Sequence, residues 1–206
     1  MRVLYIDTSS SYLFSAIVEN GKVLSEVKEE FGQSLSEVTL PKIAELFQKA
    51  NLDPKEIDKI IVVNGPGSFT GIRIGLTIAK VYAWTLKIPI TTIYSLEAMS
   101  ISSKKDCVHV PMINARRGYV FAAAYDKDQK EIVKPQHIKI EDLLKRIENV
   151  GAFELISNDE FEEFDTVPYD PDMASIVETF KDKEAINPHA VNPEYLKLTE
   201  AEENRL

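Results

Sequence analysis

The sequence predicts an α/β fold made of two related halves, each with a mixed sheet flanked by helices. Short apolar, β-branched segments alternate with amphipathic segments throughout the first half. Three antiparallel strands precede α/β crossovers there, in the order β-β-β-α-β-α-β-α, which is typical of a mixed sheet with helices on both faces. The order β-β-β-α occurs again about a hundred residues later, as expected of a tandem duplication with a reduced second copy.

The first three strands are predicted over residues 2–6, 12–18 and 23–29. The first of them is uniformly apolar, which favours a strand that is buried on both faces. A polar turn joins it to the second strand, and the Asn20-Gly21 pair predicts a hairpin between the second and the third.

The first helix is predicted over residues 36–50, because Ser34 and Glu37 have the spacing of a capping box. Pro41 removes one backbone hydrogen bond and is expected to kink the helix near its start. The apolar side of the helix is expected to consist of Leu40, Ile43, Ala44, Phe47 and Ala50.

The most informative segment begins with a β-branched strand at residues 60–63. A turn rich in Gly and Pro comes next, and then a long helix that Ser68 or Thr70 can cap and that runs to about Leu86. This helix is apolar on two sides. A domain of this size has few ways to cover both, which favours a subunit interface, with burial inside one domain as the alternative. The predicted partner interface consists of Thr70, Arg73, Ile74, Thr77, Ile78, Val81, Trp84 and Thr85.

The remaining elements place a domain boundary near the middle of the chain. A strand at residues 90–94 and a helix from Ser95 precede a polar segment, so we expect domains at 1–103 and 104–206. The second half is predicted to contain strands at 108–113, 119–125, 131–138 and 150–156, and helices at 141–147 and 175–181. An acidic loop and an irregular C-terminal arm complete it.

Composition narrows the class of protein. The 206 residues are 44% hydrophobic and 28% charged, as in a folded globular protein. No apolar segment approaches the ~20 residues needed to span a bilayer, Met1-Arg2 leads directly into a strand, and the single cysteine, Cys107, excludes an internal disulfide. These features predict a cytoplasmic protein without a membrane contact. The formal net charge of −9 makes the isolated chain a poor candidate for binding nucleic acid.

Two polar segments are candidates for an anion or nucleotide site. Asp7, Thr8 and Ser9 follow the first strand and could hold a phosphate or magnesium, or could instead form an Asx turn. Gly67 and Ser68 lie where a helix N-terminus could bind an anion. This segment lacks the lysine of a P-loop, and close packing of a helix or strand explains its glycines equally well.

Few residues are suited to metal or nucleophilic catalysis. The three histidines are His109, His137 and His189, and His109 is expected to pack inside a strand. Neither HExxH, HxxxH nor GxSxG occurs, so we expect no metal site and no catalytic residues. Arg116 and Arg117 in a predicted turn could bind a phosphate or carboxylate, or could remain solvated.

Five segments, taken together and in order, resemble those of one family. They are Ile6-Asp7-Thr8-Ser9, Ser36-Glu37 with Leu40-Pro41, the run GPGSFTGIRIG from Gly65 to Gly75, Ser95-Leu96-Glu97-Ala98, and Ala115-Arg116-Arg117-Gly118. This set resembles the TsaB (YeaZ) family and covers most of residues 1–125.

The resemblance implies two ribonuclease-H-like domains, as in actin-like ATPases and sugar kinases. It also implies a role in adding the threonylcarbamoyl group to adenosine 37 of tRNAs. In that system the paralogue TsaD is the transferase, TsaE is an ATPase, and TsaB is the non-catalytic partner that TsaD needs. Relatives pair through helices of the first domain, either as homodimers or with TsaD. The resemblance therefore implies contact with tRNA only through the complex, and no cofactor of this chain, with ATP handled by the partner subunits.

Two positions depart from the family pattern. Relatives often have histidine before Ser-Glu, where TsaD has a metal ligand, and here that residue is Leu35. Asn114 stands where relatives often have aspartate. Both changes favour a scaffold over an enzyme. The alternatives are an ATPase or kinase that binds nucleotide between the domains at Asp7 and Thr8, and a metallopeptidase, against which the missing metal ligands argue.

Overall fold

A computed structural model describes residues 1–197 of the chain, which form two compact units. The first unit comprises Met1–Ala98 and Pro171–Glu194, and the second comprises Met99–Asp170 and the described residues from Tyr195 onward. The sequence-based boundaries assigned all of 104–206 to the second domain, whereas the structure groups residues 171–194 with the first. Residues 198–206 of the predicted C-terminal arm lie outside the described part of the chain.

The first unit contains a five-stranded mixed sheet in the order β3-β2-β1-β4-β5. Strand β2 runs antiparallel to β1 and β3, while β4 and β5 continue the sheet in parallel with β1. The strands are β1 (Arg2–Asp7), β2 (Tyr12–Glu19), β3 (Lys22–Glu30), β4 (Lys59–Val63) and β5 (Ile90–Ile93). The helices up to the end of this region are α1 (Leu35–Ala50), α2 (Phe69–Leu86) and α3 (Ser95–Ser102).

The second unit repeats the first four strands of this arrangement. Its sheet has the order β8-β7-β6-β9, with β6 antiparallel to β7 and parallel to β9. The elements are β6 (Val108–Asn114), β7 (Tyr119–Tyr125), β8 (Glu131–Lys139), α4 (Ile140–Ile147) and β9 (Phe153–Ile156). The repeated strand order confirms two related mixed sheets of the ribonuclease-H-like type, the second of them reduced.

Each unit has its own hydrophobic core. In the first, α1 and α2 pack on one face of the sheet, where Leu4, Ile6, Ile60 and Val62 are buried. In the second, Leu143 and Ile147 of α4 pack against the sheet. Burial of this apolar area supplies most of the stability of such a fold.

The C-terminal segment, residues 171–194, belongs to the first unit because it packs along the first sheet. Its helix α5 (Met173–Phe180) lies against β1, β2 and β3. Beyond α5, Lys59 Nζ donates to the carbonyl oxygen of Lys181 at 2.7 Å, Ile186 pairs with Ile90 at the edge of the sheet, and Val191 is buried in the core. These contacts join residues far apart in sequence, so local patterns do not reveal them.

The predicted apolar side of α1 is wrong in part. Leu40 is 50% exposed, and Ser34 makes no side-chain capping bond. The side that faces the core consists of Leu35, Thr39, Ile43, Leu46 and Phe47. The polar Thr39 can be buried because its hydroxyl donates to the carbonyl oxygen of Leu35 at 2.6 Å. That local bond moves the buried stripe away from Leu40.

Candidate functional site

Helix α2 begins where the sequence predicted it. Its first residue is Phe69, and the Ser68 hydroxyl caps it by accepting a hydrogen bond from the Gly71 amide at 3.2 Å. The turn before it continues directly from β4, whose residues are all buried. The strand and the cap together fix the direction in which α2 crosses the sheet.

Two glycines of α2 and one glycine of the turn before it leave room for the turn after β1. A Cβ at Gly71 would overlap the carbonyl oxygen of Thr8, and one at Gly75 would overlap the Thr8 hydroxyl. A Cβ at Gly67 would overlap the carbonyl oxygen of Ser9. The glycines therefore allow a close approach between helix and turn, which is the packing explanation considered for them from the sequence.

The residues that were predicted to bind an anion lie close together here, but their polar atoms are hydrogen-bonded to other atoms of the protein. The Thr8 hydroxyl donates to the Gly71 carbonyl oxygen at 2.7 Å and accepts from the Gly75 amide at 3.1 Å. The Ser68 amide donates to the Ser9 carbonyl oxygen at 2.7 Å. Thr8 and Ser9 are buried. A phosphate at this position would have to displace these bonds.

Asp7 is buried at the end of β1 and takes part in the same packing. Its Oδ1 accepts from the Ser9 amide at 2.8 Å, and its Oδ2 accepts from the Tyr5 hydroxyl at 3.4 Å. Burial raises the pKa of the Asp7 carboxyl, and the hydrogen bonds from Ser9 and Tyr5 oppose that rise. This is the Asx-type turn that the sequence left open as an alternative to a metal or phosphate ligand.

The outer side of α2 carries the predicted partner interface. Val81 is 58% exposed and Trp84 is 63% exposed. Ile74 and Ile78 are half-buried and pack against the core beside Tyr82. The remaining predicted interface residues, Thr70, Arg73, Thr77 and Thr85, are exposed. The eight residues thus lie along one side of the helix, with two of them also supporting the fold.

Three further exposed residues, on α2, on α1 and in the C-terminal segment, were not part of the predicted interface. Phe69 is 55% exposed, and the Arg73 guanidinium lies 3.7 Å from the centre of its ring. The exposed Leu40 lies on α1, which packs beside α2. The His189 ring of the C-terminal segment lies edge-on to the Trp84 ring, with the ring centres 4.5 Å apart. Phe69 and Leu40 had an apolar signal, whereas nothing in the sequence pointed to His189.

A groove of about 470 Å³ lies between the C-terminal end of α1 and α2. Phe47 and Tyr82 stack in its wall with their ring centres 6.1 Å apart. Its other lining residues are Ala44, Gln48, Asn51, Leu52, Asp53 and Pro54. Tyr82 is the residue of α2 that lines this groove, and none of the eight predicted interface residues does so.

Metal-binding residues are not gathered in the described chain. Within residues 1–197 there is no group of three or more His, Cys, Asp or Glu residues that could hold a metal ion. Leu35 is buried in the core of the first unit. His109 is buried in β6, with its Nε2 3.0 Å from the carbonyl oxygen of Lys105. No helix of residues 1–197 is long and apolar enough to cross a membrane.

Comparison with known proteins gives a consistent set of relatives. Residues 25–203 match the family model described as TsaD, tRNA N6-adenosine threonylcarbamoyltransferase. The tRNA threonylcarbamoyladenosine biosynthesis protein TsaB of Bacillus subtilis is 29% identical over 98% of this chain and 96% of its own length. A tRNA N6-adenosine threonylcarbamoyltransferase of Phytoplasma australiense is 35% identical, over 47% of this chain and 34% of its own.

A solved structure supports the fold. The crystal structure of a Pseudomonas aeruginosa protein with similarity to peptidase YEAZ superposes with a TM-score of 0.76 and covers 95% of this chain and 99% of that one. The two sequences are 17% identical. This likeness therefore concerns the fold alone, and it extends over both units.

Proposed function

This chain belongs to the family that the TsaD model describes, and within it to the TsaB (YeaZ) group, and from that premise we propose that it is a non-catalytic subunit that docks on a TsaD-type paralogue. Membership places the chain in tRNA threonylcarbamoyladenosine biosynthesis. The paralogue carries out the transfer to adenosine 37, a TsaE-type ATPase joins the pair, and tRNA meets this chain only in the complex. The site of action is the cytoplasm.

The observation that carries the proposal is the outer side of α2. Val81 and Trp84 expose more than half of their surface, at 58% and 63%. Isolated apolar residues on a surface are ordinary, but here Phe69 and Leu40 extend the set over two adjacent helices. A helix-to-helix contact would bury this region. A second copy of this chain can use the same side, so a homodimer competes with the pairing.

The packing around β1 supports a structural role for the residues that would bind nucleotide in an enzyme of this fold. Asp7 and Thr8 are buried, and the Thr8 hydroxyl is engaged by Gly71 and Gly75 of α2. Leu35 fills a core position with an apolar side chain. These residues support the fold from which α2 projects, and in our proposal ATP and metal are handled by the partner subunits.

The test replaces Val81 by aspartate and measures pairing with the TsaD-type paralogue. Val81→Asp would bury an unpaired charge in the contact, which should weaken pairing by about 3 kcal/mol, or about 100-fold. Val81 is preferable to Ile74 or Ile78 because those two also pack against the core. Affinity is measured by calorimetric titration, and co-elution is measured by size-exclusion chromatography.

The matched control is Val23→Asp, the same exchange at a partly exposed position on β3. Pairing with the control should equal that of the parent chain. Circular dichroism should show both variants folded. If Val81→Asp pairs as tightly as the parent, the docking side of α2 is wrong. A modification assay with each subunit omitted in turn tests the non-catalytic role, since this chain alone should transfer nothing.

A further inference from the structure

The turn between β6 and β7 holds two arginines in an unfavourable backbone conformation. Three consecutive residues have positive φ, namely Arg116 at 67°, Arg117 at 53° and Gly118 at 76°. Glycine adopts such angles freely and asparagine tolerates them, whereas other residues do so at a cost in free energy. Two hydrogen bonds hold this turn, and both use main-chain atoms of Arg116. The Arg116 amide donates to Asn114 Oδ1 at 2.8 Å, and the Arg116 carbonyl oxygen accepts from the Tyr119 amide at 3.0 Å. The backbone of this turn therefore does not call for arginine.

Both guanidinium groups are exposed, and within residues 1–197 the structure gives neither of them an ion pair. The chain contains 33 acidic residues, so carboxylates are plentiful. One carboxylate that reaches the turn already has a partner in it, since Asp159 Oδ2 accepts from the Asn114 amide at 2.7 Å. The two guanidinium groups are therefore available to bind a ligand or partner outside this chain.

The adjoining surface of the sheet adds a further cation and aromatic rings. Tyr119 lies opposite Lys139, and Phe121 lies opposite His137, on neighbouring strands. The rings of Tyr119 and His137 stack with their centres 4.7 Å apart. The Lys139 ammonium is 5.8 Å from the centre of the Tyr119 ring. Positive charge and ring surface therefore continue from the turn along β7 and β8.

We propose that this arginine turn, with Lys139 and Tyr119 beside it, binds the phosphate backbone of RNA. The inference rests on the proposed function, because the complex is what brings a tRNA to this chain. Arginine forks bind phosphate oxygens in pairs, and lysine adds a point charge. Aromatic side chains beside such cations give nucleosides a surface to pack on. A row of exposed cations fits an extended polyanion, and the net charge of −9 keeps the isolated subunit from binding RNA by itself.

The test measures tRNA affinity of the assembled complex with a double variant, Arg116→Asn and Arg117→Asn. Asparagine keeps the positive φ and removes both charges. Fluorescence anisotropy over a range of salt concentrations should show affinity about tenfold weaker and a log–log salt slope reduced by about 2. The thermal midpoint of the double variant should not fall, which separates a binding role from a structural one.

The matched control is Lys127→Asn with Lys130→Asn, which removes the same charge from the turn between β7 and β8, at the other end of β7. Its affinity and salt slope should equal those of the parent complex. If the arginine variant also equals the parent, the inference is wrong while the proposed function stands. If the parent chain fails to assemble with its paralogue, both fall.

Two other results would also overturn the inference. The arginine variant could lose assembly with the paralogue at parental thermal stability, which would assign the turn to a protein contact. It could instead lose affinity for ATP while keeping that for tRNA, which would assign the turn to a free nucleotide. Titrations of the same complexes with ATP and chromatography of each mixture read out both results.

Discussion

In each unit a turn follows the first strand of the sheet in chain order. The turn of the first unit is closed, which means that it is buried against a helix, and the turn of the second unit is open, which means that it is exposed to solvent. After β1, Thr8 and Ser9 are buried and their polar atoms bind α2 and its preceding turn. After β6, Arg116, Arg117 and Gly118 are exposed. The two turns occupy equivalent places in sheets of the same strand order. Equivalent topology has therefore not given them equivalent environments.

The cause of the difference is the segment that comes after the fourth strand of each sheet. In the first unit β4 leads into α2, whose glycines admit the turn after β1. In the second unit β9 leads into residues 157–170, which contain no helix, and Asp159 reaches the turn through the Asn114 amide. Loss of one covering helix leaves a turn whose side chains are available to a ligand.

The largest expected effect on stability comes from adding a methyl group inside the closed turn. Gly71→Ala places a Cβ on the carbonyl oxygen of Thr8, a main-chain atom that cannot move aside without displacing β1. The free energy of unfolding should fall by about 3 kcal/mol or more.

At Gly118 no atom lies within 4 Å of an added Cβ, so only the φ of +76° opposes it. Gly118→Ala should lower the free energy of unfolding by about 1 kcal/mol. Urea unfolding followed by circular dichroism measures both.

Equal losses for the two alanine variants would contradict the contrast between a closed and an open turn. A smaller loss at Gly71 than at Gly118 would show that the helix can move away from the turn at little cost. The m-value should be the same for both variants, because neither changes the surface exposed on unfolding.

Local signals explain why much of the fold was predictable. The succession of strands and helices along the chain followed from apolar runs and turns, and the β-β-β-α repeat indicated the second sheet. The start of α2 was predicted with Ser68 or Thr70 as the cap, and the spacing of Gly71 and Gly75 allowed a close approach. The strands, the repeat and the helix start depend on residues close together in sequence, where propensity and spacing carry the information. The glycine spacing predicted a close approach but not that Thr8 is what approaches.

Contacts between distant residues account for what was missed. The packing of α5 on the first sheet and the contact of His189 with Trp84 join parts of the chain that no local pattern connects. One miss has a local cause instead: Thr39 of α1 is buried with its hydroxyl bonded to the carbonyl oxygen of Leu35, while Leu40 is exposed. The open turn at Arg116 depends on a helix that the second unit lacks after β9, and an absent element leaves no signal at the turn itself.

A second comparison concerns hydrogen bonds, with a smaller expected effect. Thr8→Val removes a buried hydroxyl that both donates to Gly71 and accepts from Gly75, and should lower the free energy of unfolding by about 2 kcal/mol. Thr8→Ser keeps both bonds and should lose about 1 kcal/mol or less. In the open turn, Asn114→Ala removes an exposed acceptor and should change the free energy of unfolding by about 0.5 kcal/mol or less. Guanidinium unfolding of the three variants ranks them, and a loss at Asn114 equal to that at Thr8 would contradict the contrast.

The closed turn also implies a pH dependence of stability, which arises from Asp7. Burial raises the pKa of this carboxyl above its ordinary value of 3.8. At a pH below that value, the carboxyl is protonated in both the folded and the unfolded chain. As the pH rises through the folded pKa, the unfolded chain releases its proton first, so the free energy of unfolding falls.

Asp7→Asn keeps an acceptor for the Ser9 amide and cannot titrate. The difference in unfolding free energy between this variant and the parent should therefore grow in favour of the variant from about pH 4 upward and level off above the folded pKa. Titrating groups elsewhere cancel in that difference, so a difference independent of pH between about pH 4 and pH 8 would mean that the carboxyl is hydrated and the turn is not closed.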